Sequence, residues 1–501
     1  MLLIYPPVAK PGEPPAGIAH LAGALRGNSI PCTLLDANLE GLLYLLESAV
    51  EPQDTWGRRS YRNLDANLAA LRSQSLYTGQ DRYRRAVADV NRLLELAGAE
   101  KNITLSLANY QDTLFSPLKS GDLLRAAQQP EQNIFYPYFS RRLPELLAGE
   151  RPRLVGFSLN YLSQAITTFA MIGLVKQIDP SLPVVLGGGL VTSWMSNPSW
   201  RNPFAALIDH LVPGPGEKPL VQLLGGQQGH EHHRPDFAGL PLREYLAPGF
   251  ILPYAASSGC YWNRCSFCPE KTEGNPYASA APDRVLEDID RLVQQTGPAL
   301  IHFLDNAISP ALLKALAARP PGVNWYGFAR IHSALAEVDF CRALRKSGCV
   351  MLKLGLESGN QDVLDSMHKG IDLDMVSHAL TALRRAGINT YVYLLFGTPS
   401  ESIVQARETL DFVVQHADAI TYLNLAIFNM PVCSAEAATL EVSGFSDGDL
   451  SLYTDFDHPH GWHRKAIRRF LDQEFKRHPA VAAILRRDPP LFTSNHAPFF
   501  A

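Results

Sequence analysis

The sequence predicts an α/β protein built from two successive runs of strand and helix, and three observations carry that prediction. Short apolar runs alternate with helix-periodic segments from Leu2 onward, the alternation restarts at Pro253, and a polar, glycine-rich stretch lies between the two runs. In the first run, Leu2 to Tyr5 reads as a strand, Ala16 to Arg26 as a helix and Cys32 to Asp36 as a second strand. Strands follow at Arg153 to Ser158, Val184 to Gly187 and Ile208 to Val212, with a helix over Gln164 to Lys176. Together they make an open, five-stranded parallel sheet of Rossmann-like or flavodoxin-like type in residues 1–224. So long a connection between the second and third strands needs structure of its own. Leu64, Leu68 and Leu71, then Val87, Val90 and Leu94, recur there at helical spacing, so a helical insertion is expected at about 42–150. Gly225 to Pro241 breaks the rhythm, and 225–249 reads as a linker. His230, His232 and His233 are assigned to that solvated linker, because a flexible stretch gives ligands no fixed geometry.

The second run places strands near Tyr254 to Ser258, Leu300 to Asp305, Val323 to Arg330, Met351 to Glu357, Thr390 to Phe396 and Thr421 to Ala426. Asp283 is the expected cap of a helix over Arg284 to Gln295 before Gly297, and Asp374 of one over Met375 to Ala386 before Gly387. Right-handed crossovers curl six such strands into a partial (β/α)6 TIM-like barrel over 250–430, with its active face at the carboxyl ends of the strands. Residues 431–501 lose the rhythm and are expected to form a small α-rich C-terminal region closing the barrel, with Trp462, Phe470 and Phe475 on helix.

Composition narrows the function classes. The 501 residues are 46% apolar and 19% charged, an ordinary globular balance. A net charge of -4 supplies no broad positive field for nucleic acid. No run is long and apolar enough for a membrane span, and Met1 to Tyr5 leads into Pro6-Pro7 without a basic flank, so a cytoplasmic protein is expected. The basic run Arg464, Lys465, Arg468, Arg469, Lys476 and Arg477 reads as a solvated helix face. Three of the seven cysteines, Cys260, Cys265 and Cys268, fall within nine residues directly after the first barrel strand. Zinc in a structural site wants four ligands, and no further cysteine follows until Cys341. A plant-type ferredoxin shares the spacing but also needs a fourth thiol. Three thiols at a barrel rim favour a cubane cluster with one iron left open. Cys32, Cys341, Cys349 and Cys433 read as core thiols, with Cys433 placed near the barrel exit.

With C-x4-C-x2-C at that position, the chain resembles the radical S-adenosylmethionine (SAM) superfamily, and within it the members that carry an amino-terminal cobalamin-binding domain. The resemblance implies that Cys260, Cys265 and Cys268 hold a 4Fe-4S cluster whose fourth iron is chelated by SAM. Phe267 matches the family's aromatic position. Gly355-Leu356-Glu357-Ser358-Gly359 resembles the SAM-contacting segment, which implies roles for Gly355, Glu357 and Ser358. Phe396-Gly397-Thr398-Pro399-Ser400-Glu401 resembles the Gly-x-Pro-x-Glu turn, which brings in Gly397 and Pro399. Asp305, Arg330 and Asn424 end or line barrel strands and are further candidates, Asp305 and Arg330 as catalytic groups and Asn424 as a cofactor contact. In the first domain, Tyr5-Pro6-Pro7, Leu186-Gly187-Gly188-Gly189 and Gly214-Pro215-Gly216-Glu217 resemble the cobalamin fold. Ser158, Gly187 and Gly188 would meet the nucleotide tail. Asn38 stands where relatives that ligate cobalt carry histidine, in Asp36-Ala37-Asn38-Leu39-Glu40-Gly41.

The resemblance implies reductive cleavage of SAM to a 5'-deoxyadenosyl radical, an external one-electron reductant such as flavodoxin or ferredoxin, and cobalamin-dependent C-methylation of a small-molecule, peptide or lipid substrate. A cobalamin-independent rearrangement, cyclisation or oxidation is the alternative, and a non-catalytic iron-sulfur carrier a third possibility.

Overall fold

The computed structural model describes residues 1–226, 233–445, 447–489 and 496–500. His230 and His232 lie outside the described residues. The chain divides into two compact units, one built chiefly from Met1–Ile251 and the other chiefly from Leu252–Phe445 and Tyr453–Asp488.

The first unit is organised around strands β1 (Leu2–Tyr5), β2 (Thr33–Asp36), β3 (Val155–Ser158), β4 (Val184–Gly187) and β5 (His210–Val212). They pair in parallel in the order β2-β1-β3-β4-β5. This is the flavodoxin-like order, with its topological switch between β1 and β3. Leu2, Leu3 and Ile4 are all buried, as a parallel strand covered on both faces requires. The helix Leu162–Ile178 is buried without a break from Gln164 to Val175, so it is a core helix rather than a surface one.

The insertion is mostly helical, with its longest helix at Gln80–Ala99 and another at Leu64–Leu71. These two helices pack together, and Leu64, Leu68, Leu71, Val87, Val90 and Leu94 are all buried. A two-stranded antiparallel ribbon, Ile103–Leu105 with Tyr110–Asp112, interrupts the helices. Its strands are too short to produce a period-2 signal.

The described residues 233–249 of the expected linker are instead packed on the first unit. Asp236 N–H donates to Ala19 O at 2.9 Å, and its carboxylate lies 3.0 Å from Arg26. A Cβ at Gly23 would fall 2.0 Å from Arg234 O, so helix and segment touch through backbone. Phe237, Leu240, Tyr245 and Leu246 are buried apolar anchors in that otherwise polar stretch.

The second unit carries β6 (Ile251–Tyr254), β7 (Leu300–Ile308), β8 (Trp325–Ala329), β9 (Cys349–Glu357), β10 (Asn389–Phe396) and β11 (Tyr422–Ile427) in the order β11-β10-β9-β8-β7-β6. The pairs from β7 through β11 are parallel. The first barrel strand ends earlier than expected because Ser257–Ser258 leaves the barrel and pairs antiparallel with Ala278–Ser279. Two caps also differ. Asp283 lies in the first turn of Pro282–Thr296, where Pro282 opens the helix, and Asp372 rather than Asp374 caps Leu373–Ala386 by accepting from the N–H groups of Asp374 and Met375. Gly297 and Gly387 both end their helices in the left-handed conformation.

The C-terminal region is less helical than expected. It opens on a three-stranded antiparallel sheet of Met430–Pro431, Val442–Gly444 and Tyr453–Phe456. Trp462 precedes the helix Arg464–Phe470 and is buried by its own contacts. Part of the basic run is neutralised or engaged: Arg464 donates to Asn429 Oδ1 at 2.7 Å and Lys476 to Asp472 at 2.7 Å. His496 stacks on Tyr391, one residue pair from the start of β10, so this end of the chain packs against the amino-terminal half of the barrel strands. Among the described residues no helix is long and apolar enough to cross a membrane.

Candidate functional site

The three clustered thiols lie on the loop that leaves β6. Its entrance is fixed by two adjacent residues of β7. The Asp305 carboxylate, 2% exposed, accepts from Ala256 N–H at 3.1 Å and from the Ser257 hydroxyl, and Asn306 Nδ2 donates to Gly259 O at 3.2 Å. Burial pushes the Asp305 carboxyl above its ordinary range. Asp305 is thus spent on backbone and hydroxyl donors, a positioning arrangement rather than the free acid or base expected of a catalytic group. Gly259 takes φ +69, and a Cβ there would meet Pro276 O at 2.5 Å, so the loop turns hard against the backbone leading into Ala278–Ser279 before Cys260.

Cys260, Cys265 and Cys268 are each partly exposed and unbridged. Burial raises the Cys265 thiol, and the charges of Lys369 and Arg330 oppose that rise. Cys268 is pushed up to about 11, again by burial. Among the described residues no group of three His, Cys, Asp or Glu side chains converges to hold one metal ion. A cubane spreads its ligands over separate irons, so a loop carrying three thiols fits a cluster while lacking the closed convergence of a tetrahedral zinc site.

Arg330, just beyond β8, lies over the Trp262 ring at 3.9 Å and donates to Gly370 O at 2.8 Å. Its guanidinium therefore braces the thiol loop. Glu357 ends β9 with φ +70 and pairs with Lys369 Nζ at 2.8 Å. A Cβ at Gly355 would fall 2.4 Å from Glu357 Oε1 and 2.8 Å from that ammonium, so glycine leaves room for the pair. Lys369 also lies 5.7 Å from the Phe267 ring centre. Phe267, Gly355 and Glu357 are thus brought together, with Lys369 as the group that sequence reasoning missed. A lone lysine between His368 and Gly370 carries no motif; its only signal is the adjacent Gly370, which takes φ +62.

Ser358 is fully buried, 3.2 Å from Thr409 Oγ1, and takes the Asn360 N–H, so its hydroxyl shapes the turn. Gly397 has φ +86, and its N–H donates to Glu401 at 2.5 Å. Trp462 Nε1 donates to the same Glu401 oxygen at 3.0 Å. Burial drives the Glu401 carboxyl up to about 7. Pro399 holds the turn between them, half-buried. Asn424 lies opposite Tyr393 in the β10–β11 register.

In the first unit, Ser158, Gly187 and Gly188 meet at the carboxyl edge of β3 and β4. Asn160 joins them, donating to Ser158 Oγ at 3.1 Å and accepting from Gly189 N–H at 3.0 Å. Gly188 has φ +110, with Leu159 O only 2.4 Å from where a Cβ would stand. Gln164, fully buried, donates to Pro6 O at 2.7 Å and so ties the loops after β1 and β3 together. Asn38 is 1% exposed, and its Oδ1 accepts from Ala9 N–H at 2.8 Å. It offers no imidazole, and its amide oxygen is committed to the β1 loop. Asp36, two residues earlier, accepts from Tyr245 at 2.7 Å and from Leu39 N–H, while burial lifts its carboxyl to about 6. At Gly214, φ +67, a Cβ would meet nothing within 4 Å, which leaves open space beyond the sheet edge. These residues offer a corrinoid no histidine ligand, and their amides, hydroxyl and carboxylate are bonded to one another and to the neighbouring loops.

Residues 254–413 match the radical SAM superfamily. Among curated proteins, the chain is similar to an uncharacterized methyltransferase of Pyrococcus horikoshii, 24% identical over 301 residues that cover 52% of this chain and 64% of that one. It is also similar to the bacteriochlorophyllide d C-12(1)-methyltransferase of Chlorobaculum tepidum, 28% identical over 176 residues, 33% of this chain and 38% of that one. The chain thus matches less than two thirds of the length of either relative. Among solved structures, the fold is similar to the radical SAM methyltransferase TsrM of Kitasatospora setae with cobalamin and a 4Fe-4S cluster bound, at TM-score 0.54 and 16% identity over 98% of this chain and 91% of that one. The cobalamin-dependent SAM radical enzyme OxsB with aqua-cobalamin bound gives TM-score 0.51 at 14% identity, covering 72% of this chain and 64% of that one.

Proposed function

We infer that this chain, a radical SAM enzyme by its residues 254–413, performs cobalamin-dependent C-methylation of an organic substrate. The observation that carries the reading is the loop of Cys260, Cys265 and Cys268 at the carboxyl end of β6, braced by Arg330 and facing the Glu357–Lys369 pair. Cys260, Cys265 and Cys268 would ligate a 4Fe-4S cluster, which when reduced supplies one electron to split SAM into methionine and a 5'-deoxyadenosyl radical. A corrinoid against Ser158, Gly187 and Gly188 would supply the methyl group. The protein's own part is to place and shield. Phe267 covers the thiol loop with an apolar ring, Glu357 presents a carboxylate at the strand end, and Gly355 and Gly397 keep the barrel edge free of side chains. Phe328 and Tyr393, 4.9 Å apart and both half-buried, add an aromatic wall against which an apolar part of the substrate can lie. The names of the methyltransferase TsrM and of the two methyltransferase relatives support the methylation half of the reading, while OxsB, a cobalamin-dependent SAM radical enzyme, supports the cobalamin half alone.

The committed amide of Asn38 favours a second reading, a radical SAM reaction without cobalamin. One anaerobic experiment separates them. The chain is reconstituted with iron and sulfide, supplied with SAM, hydroxocobalamin and a chemical or flavodoxin reductant, then measured for bound corrinoid and SAM-derived products. Corrinoid uptake together with 5'-deoxyadenosine and S-adenosylhomocysteine is expected. 5'-Deoxyadenosine alone, from protein that binds no corrinoid, overturns the methylation half.

A further inference from the structure

Four residues that no motif marks, Met367 to Gly370, fasten the thiol loop along its length. Ser266 N–H donates to Met367 O at 3.0 Å, and Trp262 Nε1 donates to His368 O at 3.1 Å. Arg330, lying over Trp262, donates to the carbonyls of both Lys369 and Gly370. The fit is close: a Cβ at Gly370 would stand 2.2 Å from Trp262 Cζ2. His368 and Gly370 take φ +54 and +62, and between these left-handed residues Lys369 turns its side chain inward to 8% exposure. Its ammonium then reaches Glu357 on one side and the Phe267 ring on the other.

We propose that Lys369 is a positioning residue, and that Met367–Gly370 is a clamp fixing the thiol loop and Glu357 relative to each other before any cofactor binds. The inference deepens the radical SAM reading and rests on the assignment of Cys260, Cys265 and Cys268 as cluster ligands. A loop of this length, left free, would charge its ordering entropy to cluster and ligand binding, and the clamp removes that cost in advance. The ammonium does more than neutralise a carboxylate, because its second contact is the ring that precedes Cys268. A merely structural ion pair would leave the loop untouched when broken.

Amide hydrogen exchange on the metal-free chain tests the clamp. In Lys369→Met and Gly370→Ala, exchange of the peptide containing Ser266 is expected to rise roughly tenfold, while Leu373–Ala386 stays as in the parent. Lys369→Arg, which keeps a cation for Glu357 and Phe267, is expected to restore slow exchange, and the exposed control Lys346→Met to change nothing. In cluster-loaded protein, equilibrium dialysis is expected to give about tenfold weaker SAM binding for Lys369→Met and near-parent binding for Lys369→Arg. Unchanged loop exchange in both Lys369→Met and Gly370→Ala overturns the clamp, as does equal acceleration across Leu373–Ala386. Faster loop exchange with undiminished SAM affinity overturns the positioning role of Lys369. Parent protein that takes up no iron defeats the cluster assignment instead, and the exchange result on the metal-free chain still decides the clamp.

Discussion

The carboxyl edges of the two sheets solve the same problem, holding a polar rim open at the end of a parallel sheet, with different materials. At the first sheet the work is done by neutral hydrogen bonds: Asn38 to Ala9, Asn160 to Ser158 and Gly189, Gln164 to Pro6. At the barrel it is done by charges and rings: Arg330 on Trp262, and Lys369 between Glu357 and Phe267. The first kind of edge is a frame whose polar groups hold one another. The second can orient charged groups and respond to them. The two edges should therefore fail differently when damaged.

The largest expected effect is at the barrel. On the proposed assignment, replacing Cys265 with alanine removes one of the three thiols that would hold the cluster. Chelatable iron and the cluster absorbance of the reconstituted protein should drop to background, while far-UV dichroism and any corrinoid uptake stay near parent values. Full cluster retention in Cys265→Ala would sink the assignment and, with it, the contrast between the two edges.

Next in size is the proton held by Glu401. Burial raises its folded pKa to about 7 from an ordinary 4.5, so the neutral form is the one the fold favours. The stability it contributes is fully present below about pH 4.5 and is lost as pH rises through about 7, a swing on the order of 3 kcal/mol. Glu401→Gln keeps the oxygen that accepts from Gly397 and Trp462 and removes the titration. Urea unfolding monitored at several pH values should show a slope across that window in the parent that is missing in the variant. Asp36 contributes a slope of the same sign in the other unit, so the difference between parent and variant, not the parent curve, isolates Glu401. Parallel curves would show that the carboxyl is already ionised at neutral pH.

These contrasts bear on what could be read before the structure. The order of strands, the parallel sheets and the position of the thiol loop were legible, because each rests on local periodicity or on spacing within a few residues. Gly188 and Gly397 were also legible, since a turn that demands φ near +110 or +86 declares itself by glycine. The partners were not. Lys369 reaches Glu357 and Phe267 from separate parts of the chain, and a lysine beside a glycine in a loop reads as solvated until the fold turns it inward. Asp305 and Ser358 show the converse, partners that no motif announces. Both stand where a functional side chain should, and both are consumed by backbone and hydroxyl partners that pattern alone does not reveal. The expected linker differs for a related reason: its glycine-rich, polar composition outweighs Phe237, Leu240 and Leu246, which anchor residues 233–249 on the first unit.

The smallest expected effect is the one that separates frame from ligand at the first sheet. Asn38→Ala leaves the buried Ala9 N–H without its acceptor, which costs about 1–3 kcal/mol of unfolding free energy. If Asn38 serves only the frame, corrinoid affinity measured by titration of hydroxocobalamin changes little once the variant is kept below its unfolding temperature. If the amide instead meets the ligand, affinity falls by a margin that the stability loss does not explain. Asn38→Asp sharpens the result, since it keeps an acceptor for Ala9 while placing a carboxylate in a site with 1% exposure, close in sequence to Asp36, whose own carboxyl is already raised. A frame residue should then lose stability chiefly as pH rises and the new carboxylate ionises, and corrinoid binding should follow that same pH dependence rather than collapse at every pH. Loss of binding at all pH values, in a variant that remains folded, would move Asn38 from the frame to the ligand and make the two edges more alike than their present geometry suggests.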